Sequence, residues 1–198
     1  MSKTRLEAFS DGVLAIIITI MVLELKIPHG TDWDAIKPLI PVAVSYLLSF
    51  IIVGIYWGNH HHLLQTVGHV NSPMIWANLH LLFWLSIIPF GTAWMGENNF
   101  KSITVAVYAG ILDLCGIAYY ILLLVIKNSH PNNKALLLAW QKQTRKGVIS
   151  NICYTIAIPL AFLHPLISGI IFFLVAVLWW IPDGNIERSF KIYEGNVE

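Results

Sequence analysis

The stretch from Arg5 to Leu25, RLEAFSDGVLAIIITIMVLEL, constrains the fold of this chain more than any other segment. Charged and hydroxyl residues fill its start. The run from Gly12 to Leu23 then carries no charge, and Thr19 is its one polar side chain. About 20 helical residues at roughly 1.5 Å each cover the roughly 30 Å hydrocarbon core of a bilayer. The stretch therefore predicts a membrane-spanning helix over about residues 4–27.

This first helix has two unlike faces when successive residues are placed about 100° apart. One face is apolar except for one hydroxyl and contains Gly12, Ile16, Thr19, Ile20 and Leu23. The opposite face contains Glu7, Ser10, Asp11, Leu14, Ile18, Met21 and Leu25. A carboxylate close to hydrocarbon is costly unless it faces protein or water. We therefore expect the polar face to meet other helices, which leaves the apolar face to lipid or to copies of itself.

The rest of the chain repeats the membrane signal. Of its 198 residues, 57% are hydrophobic and only 12% are charged, which excludes an ordinary soluble domain. The expected fold is all-α and polytopic, a single domain over 1–198 with about six transmembrane helices and no separate soluble domain. After the first span, the apolar runs predict helices near 38–64, 74–94, 103–126, 148–163 and 165–181.

Other local signals refine this arrangement. Four prolines are expected to kink or end helices because each lacks a backbone donor: Pro41, Pro89, Pro159 and Pro165. Within the long polar connection 127–146, the segment ALLLAW is a candidate interfacial helix. Cys115 and Cys153 lie in apolar runs and are expected to be buried thiols. No cleavable signal peptide is expected, since Glu7 and Asp11 precede an apolar run that is too long.

The distribution of basic residues predicts the orientation in the membrane. With both termini on one side, that side holds nine: Lys3, Arg5, Lys127, Lys134, Lys142, Arg145, Lys146, Arg188 and Lys191. The other side holds three: Lys26, Lys37 and Lys101. This difference favours cytoplasmic termini in the cell membrane.

On this topology Glu24 lies at the outer end of the first helix. If several copies of the helix surround an axis, Ile16, Thr19 or Ile20, and Leu23 form stacked rings, and Glu24 concentrates cations at the outer mouth. The alternative is a lipid-facing stripe with Glu24 paired locally to Lys26. Periodicity alone favours this alternative.

The histidines form a second group of candidate residues. His60, His61 and His62 follow Trp57 and Asn59, and His80 lies on the next span near Asn78. Three adjacent histidines point about 100° apart on a helix, so they cannot all bind one metal, and no metal site is predicted. We expect one or two of these histidines to hydrogen-bond to Ser10 and Asp11 and to hold the first helix in place. A role in pH sensing stays open, because imidazole titrates near neutrality.

Asp113 is the candidate carboxylate for a proton-coupled or cation-coupled transporter. The alternative is that it pairs with a Tyr or His of the same bundle. No nucleophile motif, phosphate-binding loop or dinucleotide fingerprint occurs in the short loops, so we do not expect an enzyme. A TVGYG-like carbonyl filter is also missing from the sequence.

Several motifs resemble one known family. Arg5, Phe9, Ser10 and Asp11 match the RxxxFSD signature that opens the first helix of the transmembrane protein 175 family of potassium channels. YWGNHH, which includes Trp57, His60 and His61, is similar to the second helix of its prokaryotic members. NLHLLFWLSIIPFGTAW, which begins with Asn78 and includes His80, is similar to their third helix.

The resemblance implies a homotetramer whose first helix lines the pore. A ring of hydrophobic side chains then replaces the carbonyl filter, at Ile16, with Thr19 one turn further and Leu23 extending the lining beside Gly12 and Ile20. The implied partners are potassium ions, the lipid bilayer and other copies of the chain, with no nucleic acid, metal or cofactor. The resemblance therefore selects the pore interpretation over the lipid-facing stripe.

Overall fold

The computed structural model of the protein describes residues 2–129 and 134–180, and the side chains within 134–139 are excepted. All regular structure in these residues is helical. The helices are α1 Lys3–Val22, α2 Trp33–Ile36, α3 Ile40–Gln65, α4 Ser72–Leu85, α5 Ile88–Glu97, α6 Ser102–Asn128, α7 Lys134–Leu163 and α8 Pro165–Trp180. A 3₁₀ turn, Lys37–Leu39, joins α2 to α3. Arg188, Lys191 and the last residue of the predicted sixth span lie outside the described residues.

Helix α1 ends sooner than the sequence predicts. It begins after Ser2, whose hydroxyl accepts a bond from the Arg5 amide at 3.4 Å, and it ends at Val22. The chain then tightens into turns in which the Glu24 amide bonds to the Met21 carbonyl at 3.4 Å and the Leu25 amide to the Val22 carbonyl at 3.1 Å. Tight i to i+3 bonds of this kind are usual at helix ends. Glu24 therefore lies in a turn beyond the helix.

The predicted third span consists of two helices, α4 and α5. Pro89 stands at the start of α5. A proline inside a helix clashes with the carbonyl four residues earlier, here that of Leu85, which is the last residue of α4. Ser86 and Ile87 form the break between the two helices. Pro165 likewise begins α8, whereas Pro159 lies inside α7 without ending it.

The largest difference from the sequence prediction concerns the fifth span. Helix α7 begins at Lys134 rather than near 148 and continues to Leu163. The segment ALLLAW therefore belongs to the same helix as the span, and the expectation of a separate interfacial helix is wrong. The sequence prediction began the span too late because the residues from Gln141 to Lys146 are all polar or charged. In the structure they are helical, since tertiary contacts override local preference.

By length and composition, four helical segments in the described residues are apolar enough to cross a membrane. They are Trp33–Gln65, Ser72–Glu97, Ser102–Asn128 and Trp140–Leu163, and α8 is a shorter apolar helix. Helix α1 has 20 residues, but four charged side chains lie in its first nine positions: Lys3, Arg5, Glu7 and Asp11. The fold is thus an all-helical membrane protein.

Two groups of helices share one core. Helix α1 packs against α3, α4 and α5, while α6 packs against α4, α5, α7 and α8. Close approach depends on glycine where α5 crosses α3, since a Cβ at Gly96 would lie 2.8 Å from the Cα of Val42. Small residues at helix crossings are characteristic of membrane bundles.

Candidate pore helix and its anchor

One face of α1 is buried inside the subunit. Its buried residues are Leu6, Ser10, Leu14, Ile17 and Met21, spaced three or four apart along the helix. This stripe includes Ser10, Leu14 and Met21 of the predicted polar face, but Ile17 is buried where Ile18 was expected, and Ile18 is only partly buried. The helix is therefore turned slightly from the orientation that the sequence predicts.

A closed chain of hydrogen bonds fixes this buried face near its start. The Nδ2 of Asn78 on α4 donates to the Ser10 hydroxyl at 2.9 Å, and the Asn78 Oδ1 lies 2.6 Å from His60 Nε2 on α3. The Ser10 hydroxyl in turn donates to the Leu6 carbonyl at 2.8 Å. Because Asn78 uses its amide nitrogen on Ser10, its oxygen must accept, and His60 carries its proton on Nε2. All three side chains are fully or almost fully buried.

The predicted bond from a histidine to Ser10 is therefore indirect, because Asn78 stands between the two groups. The prediction of a histidine on Asp11 is wrong. Asp11 is partly buried, and its Oδ1 accepts a bond from the indole Nε1 of Trp57 at 3.0 Å. Tryptophan carries a donor at the end of a large apolar body, so it can reach a carboxylate at the edge of hydrocarbon.

The other predicted signature residues lie outside this chain of bonds. His61 bonds to Gln65 at 2.8 Å and stacks on Trp57. His80 is exposed and accepts a bond from Trp84 Nε1 at 2.9 Å. Arg5 and Phe9 are also exposed. No group of three His, Cys, Asp or Glu side chains in the described residues is arranged to hold a metal ion.

The described part of the subunit leaves the predicted apolar face of α1 uncovered. All five of its residues are exposed, Ile16 to 57% and Leu23 to 74%. The Thr19 hydroxyl bonds back to the carbonyls of Ala15 and Ile16, each at 3.0 Å, so its proton is used within the helix. The face therefore presents apolar side chains and, at Thr19, oxygen lone pairs.

At the other end of α1, the predicted local pair of Glu24 and Lys26 is replaced by a longer-range one. The Lys26 ammonium donates to Glu97 at the end of α5 at 2.8 Å. This hydrogen bond raises the pKa of Lys26 above its ordinary value. Glu24 is partly exposed near this pair.

Asp113 lies on α6, on the side that faces α7. The Thr155 hydroxyl on α7 donates to its Oδ2 at 3.1 Å, so the expectation of a Tyr or His partner is wrong. The Asp113 Oδ1 is buried and has no hydrogen-bond partner in the described part of the chain.

Sequence reasoning missed a second buried chain of hydroxyl groups. Ser49 on α3 lies 2.7 Å from the Tyr108 hydroxyl on α6, and Thr92 on α5 donates to Ser49 at 2.7 Å. The Thr92 hydroxyl also lies 3.9 Å from the Met21 sulfur of α1. The sequence signal that could have predicted this chain was the presence of hydroxyl residues inside otherwise apolar spans.

The apolar helices and the uncovered face of α1 define the class of this molecule as a polytopic α-helical membrane protein. Residues 5–89 match the sequence model of the family described as endosomal/lysosomal potassium channel TMEM175. The chain is 51% identical to a potassium channel of Chryseobacterium sp. (strain P1-3), over 96% of this chain and 99% of that one. It is 33% identical to a potassium channel of Streptomyces collinus, over 58% of this chain and 60% of that one.

The fold is similar to a solved structure as well. The crystal structure of a lysosomal potassium-selective channel TMEM175 homolog from Chamaesiphon minutus superposes with a TM-score of 0.76 at 26% identity, over 94% of this chain and 97% of that one. The chain belongs to the TMEM175 family of potassium channels.

Proposed function

We propose that this protein is a leak-like, potassium-selective cation channel whose pore is lined by α1 around the axis of a homotetramer. The observation that carries the proposal is the uncovered apolar face of α1. Its opposite face is fixed by buried hydrogen bonds, so the exposed side chains have one defined direction. The potassium-channel relatives support the choice of ion.

Ile16 is the proposed constriction, with Thr19 and Leu23 completing the selective region and Gly12 and Ile20 lining the pore beside them. Hydrophobic rings gate pores by excluding water. Four isoleucines offer no ligand to replace the hydration shell, so an ion passes when the ring widens and the ion sheds part of its water. Potassium holds water less tightly than sodium and therefore crosses more easily. The exposed oxygen of Thr19 supplies partial compensation.

Hydrogen bonds between helix ends support a topology of six spans. Lys3 donates to the Gln65 carbonyl at 3.0 Å, so the start of α1 meets the end of α3. Lys26 pairs with Glu97, so the end of α1 meets the end of α5. In this topology α4 and α5 together make one crossing, the termini are cytoplasmic, the protein lies in the cell membrane and Glu24 attracts cations at the outer mouth. The whole chain, 1–198, is one channel domain with permeant potassium and no cofactor.

The proposed anchor of the pore helix consists of Ser10, Asp11, Trp57, His60 and Asn78. They connect α1 to α3 and α4 through the bonds described above, and they set the rotation of α1 about its own axis. Other signature residues, Arg5, Phe9, His61 and His80, are assigned to the same end of the subunit, where exposed side chains can meet a neighbouring copy.

The test is potassium and sodium flux from liposomes that contain the purified protein. We expect wild-type flux to favour potassium. Ile16→Asn should raise conduction and weaken the preference, because an amide ring holds water in the constriction. Ile152→Asn is the matched control, since Ile152 on α7 is exposed to a similar extent, 53% against 57%. Unchanged selectivity in Ile16→Asn would refute the assignment of the constriction.

A second candidate function is coupled transport through Asp113. The observation that favours it is the buried Oδ1 of this carboxyl within a membrane helix, which has no hydrogen-bond partner among the described residues. A coupled transporter would show saturable, pH-driven movement that Asp113→Asn abolishes. A channel would show flux down a potassium gradient that is indifferent to Asp113→Asn. The same liposomes therefore separate the two functions.

A further inference from the structure

A cavity lies between α3, α6, α7 and α8. Its volume is about 30 Å³. Its walls include Tyr56 and Asn59 of α3, Gly116 of α6, Asn151 of α7 and Trp179 of α8. A cavity of this size has room for a water molecule.

Asn151 brings an unsatisfied polar atom to this cavity. Its Oδ1 is buried and has no hydrogen-bond partner in the described residues. The amide enters the space left by Gly116, since a Cβ at that position would collide with the Asn151 oxygen. A buried carbonyl oxygen without a donor is costly, and proteins commonly satisfy such groups with water.

Neighbouring polar groups already bond to one another. Tyr119 accepts a bond from Gln143 Nε2 at 2.5 Å and donates to the Asn59 carbonyl at 3.3 Å. The Ser150 hydroxyl accepts from Trp179 Nε1 at 2.8 Å. These groups form a polar wall with lone pairs still available, which gives a bound water the two to four partners that it requires. Asn151 is the group that still needs a donor.

We propose that this partly open cavity is a water-binding site in which a water molecule donates to Asn151 Oδ1. The site is distinct from the proposed pore, because α3, α6, α7 and α8 form its walls and α1 does not. Tyr56 and Asn59, which line the cavity, are close in sequence to Trp57 and His60, which hold α1. The water site therefore lies next to the part of α3 that holds α1.

Cysteine labelling in lipid tests the proposal. Methanethiosulfonates react with thiolates, which form in water and not in hydrocarbon. In a Cys115→Ala, Cys153→Ala background, Asn151→Cys and Gly147→Cys would be reconstituted in nanodiscs and treated with 2-aminoethyl methanethiosulfonate. Gly147 also lines the cavity, and a Cβ there meets no atom within 4 Å, so this variant should fold. Ile152→Cys, on the outer face of α7, is the lipid-facing control, and Thr31→Cys in the exposed loop is the aqueous control.

We expect both cavity cysteines to be modified at least roughly tenfold faster than Ile152→Cys, while remaining slower than Thr31→Cys. Labelling of Gly147→Cys at the Ile152→Cys rate, in protein that elutes as the native assembly, would overturn the proposal and indicate that acyl chains fill the space. A structure that resolves solvent gives a second readout. Density about 2.7–3.2 Å from Asn151 Oδ1 supports the water site, and an empty or lipid-filled cavity contradicts it.

Discussion

The subunit contains two polar helix–helix interfaces, or seams, which differ in whether their buried polar groups are hydrogen-bonded. Between α1, α3 and α4, an asparagine connects a serine to a histidine and leaves every member of the chain bonded. On α6 and α7, three buried oxygens have no partner in the described part of the chain: Asp113 Oδ1, Thr144 Oγ1 and Asn151 Oδ1. A closed seam fixes how a helix is rotated, whereas an open seam leaves polar groups for water. Stability and packing can each test this difference.

The largest expected effect comes from opening the closed seam. Asn78→Leu removes the partner of His60 and one donor to Ser10, and both groups are buried. We expect a loss of about 2–4 kcal/mol in the free energy of unfolding, measured in detergent by thermal or SDS titration.

Asn151→Leu is the matched control for this experiment. It makes the same chemical change in the open seam, where the removed oxygen has no partner among the residues that the structure describes. We expect the stability to stay within about 1 kcal/mol of wild type. Equal losses in the two variants would show that the seams do not differ as described.

The second effect concerns the packing of the open seam. Gly116→Ala should destabilise the protein by about 1–3 kcal/mol, because the new methyl group would collide with the Asn151 amide. Adding Asn151→Ala removes the collision and should restore most of the loss. The unfolding free energies of the single and double variants measure this coupling.

Gly110→Ala serves as the control on the same helix, since a Cβ at Gly110 meets no atom within 4 Å. We expect little change in its stability, and alanine should be slightly favourable by helix propensity. A failure of Asn151→Ala to rescue Gly116→Ala would place the collision elsewhere.

These two seams also show what the sequence can and cannot predict. The periodicity of α1 placed Ser10 on the buried side and Ile16 on the exposed side, because a single helix fixes relative directions. Periodicity could not predict which residue on another helix bonds to this face. The structure shows that Ser10 bonds to Asn78, and Asp11 to Trp57, where the sequence predicted histidines. The close approach of Gly116 and Asn151 involves two residues that lie 35 positions apart in the chain, on different helices. Neither residue is unusual by itself.

The third effect is a partial loosening of the closed seam. Trp57→Phe keeps an aromatic body but removes the donor to Asp11. Because Asp11 is only partly buried, we expect a loss of about 1 kcal/mol, smaller than that of Asn78→Leu. Thermal unfolding measures the loss, and potassium flux in liposomes shows whether α1 keeps its orientation. A loss as large as that of Asn78→Leu would mean that Trp57 carries more of the anchor than its one bond indicates.

The smallest effect is expected at the other end of α1, where the Lys26 and Glu97 pair is exposed. The bond raises the pKa of Lys26 above its ordinary value of 10.5, so the folded state holds this proton more tightly than the unfolded state. Its stabilising contribution is therefore complete below pH 10.5 and is lost as the pH rises through the raised pKa. Lys26→Gln should leave the stability at neutral pH almost unchanged and should flatten its decline at alkaline pH. Because exposed pairs are screened by salt, any difference at low ionic strength should shrink in 1 M salt. A large, salt-independent loss in Lys26→Gln would instead make this pair a third structural seam that fixes the C-terminal end of α1 as firmly as Asn78 fixes its start.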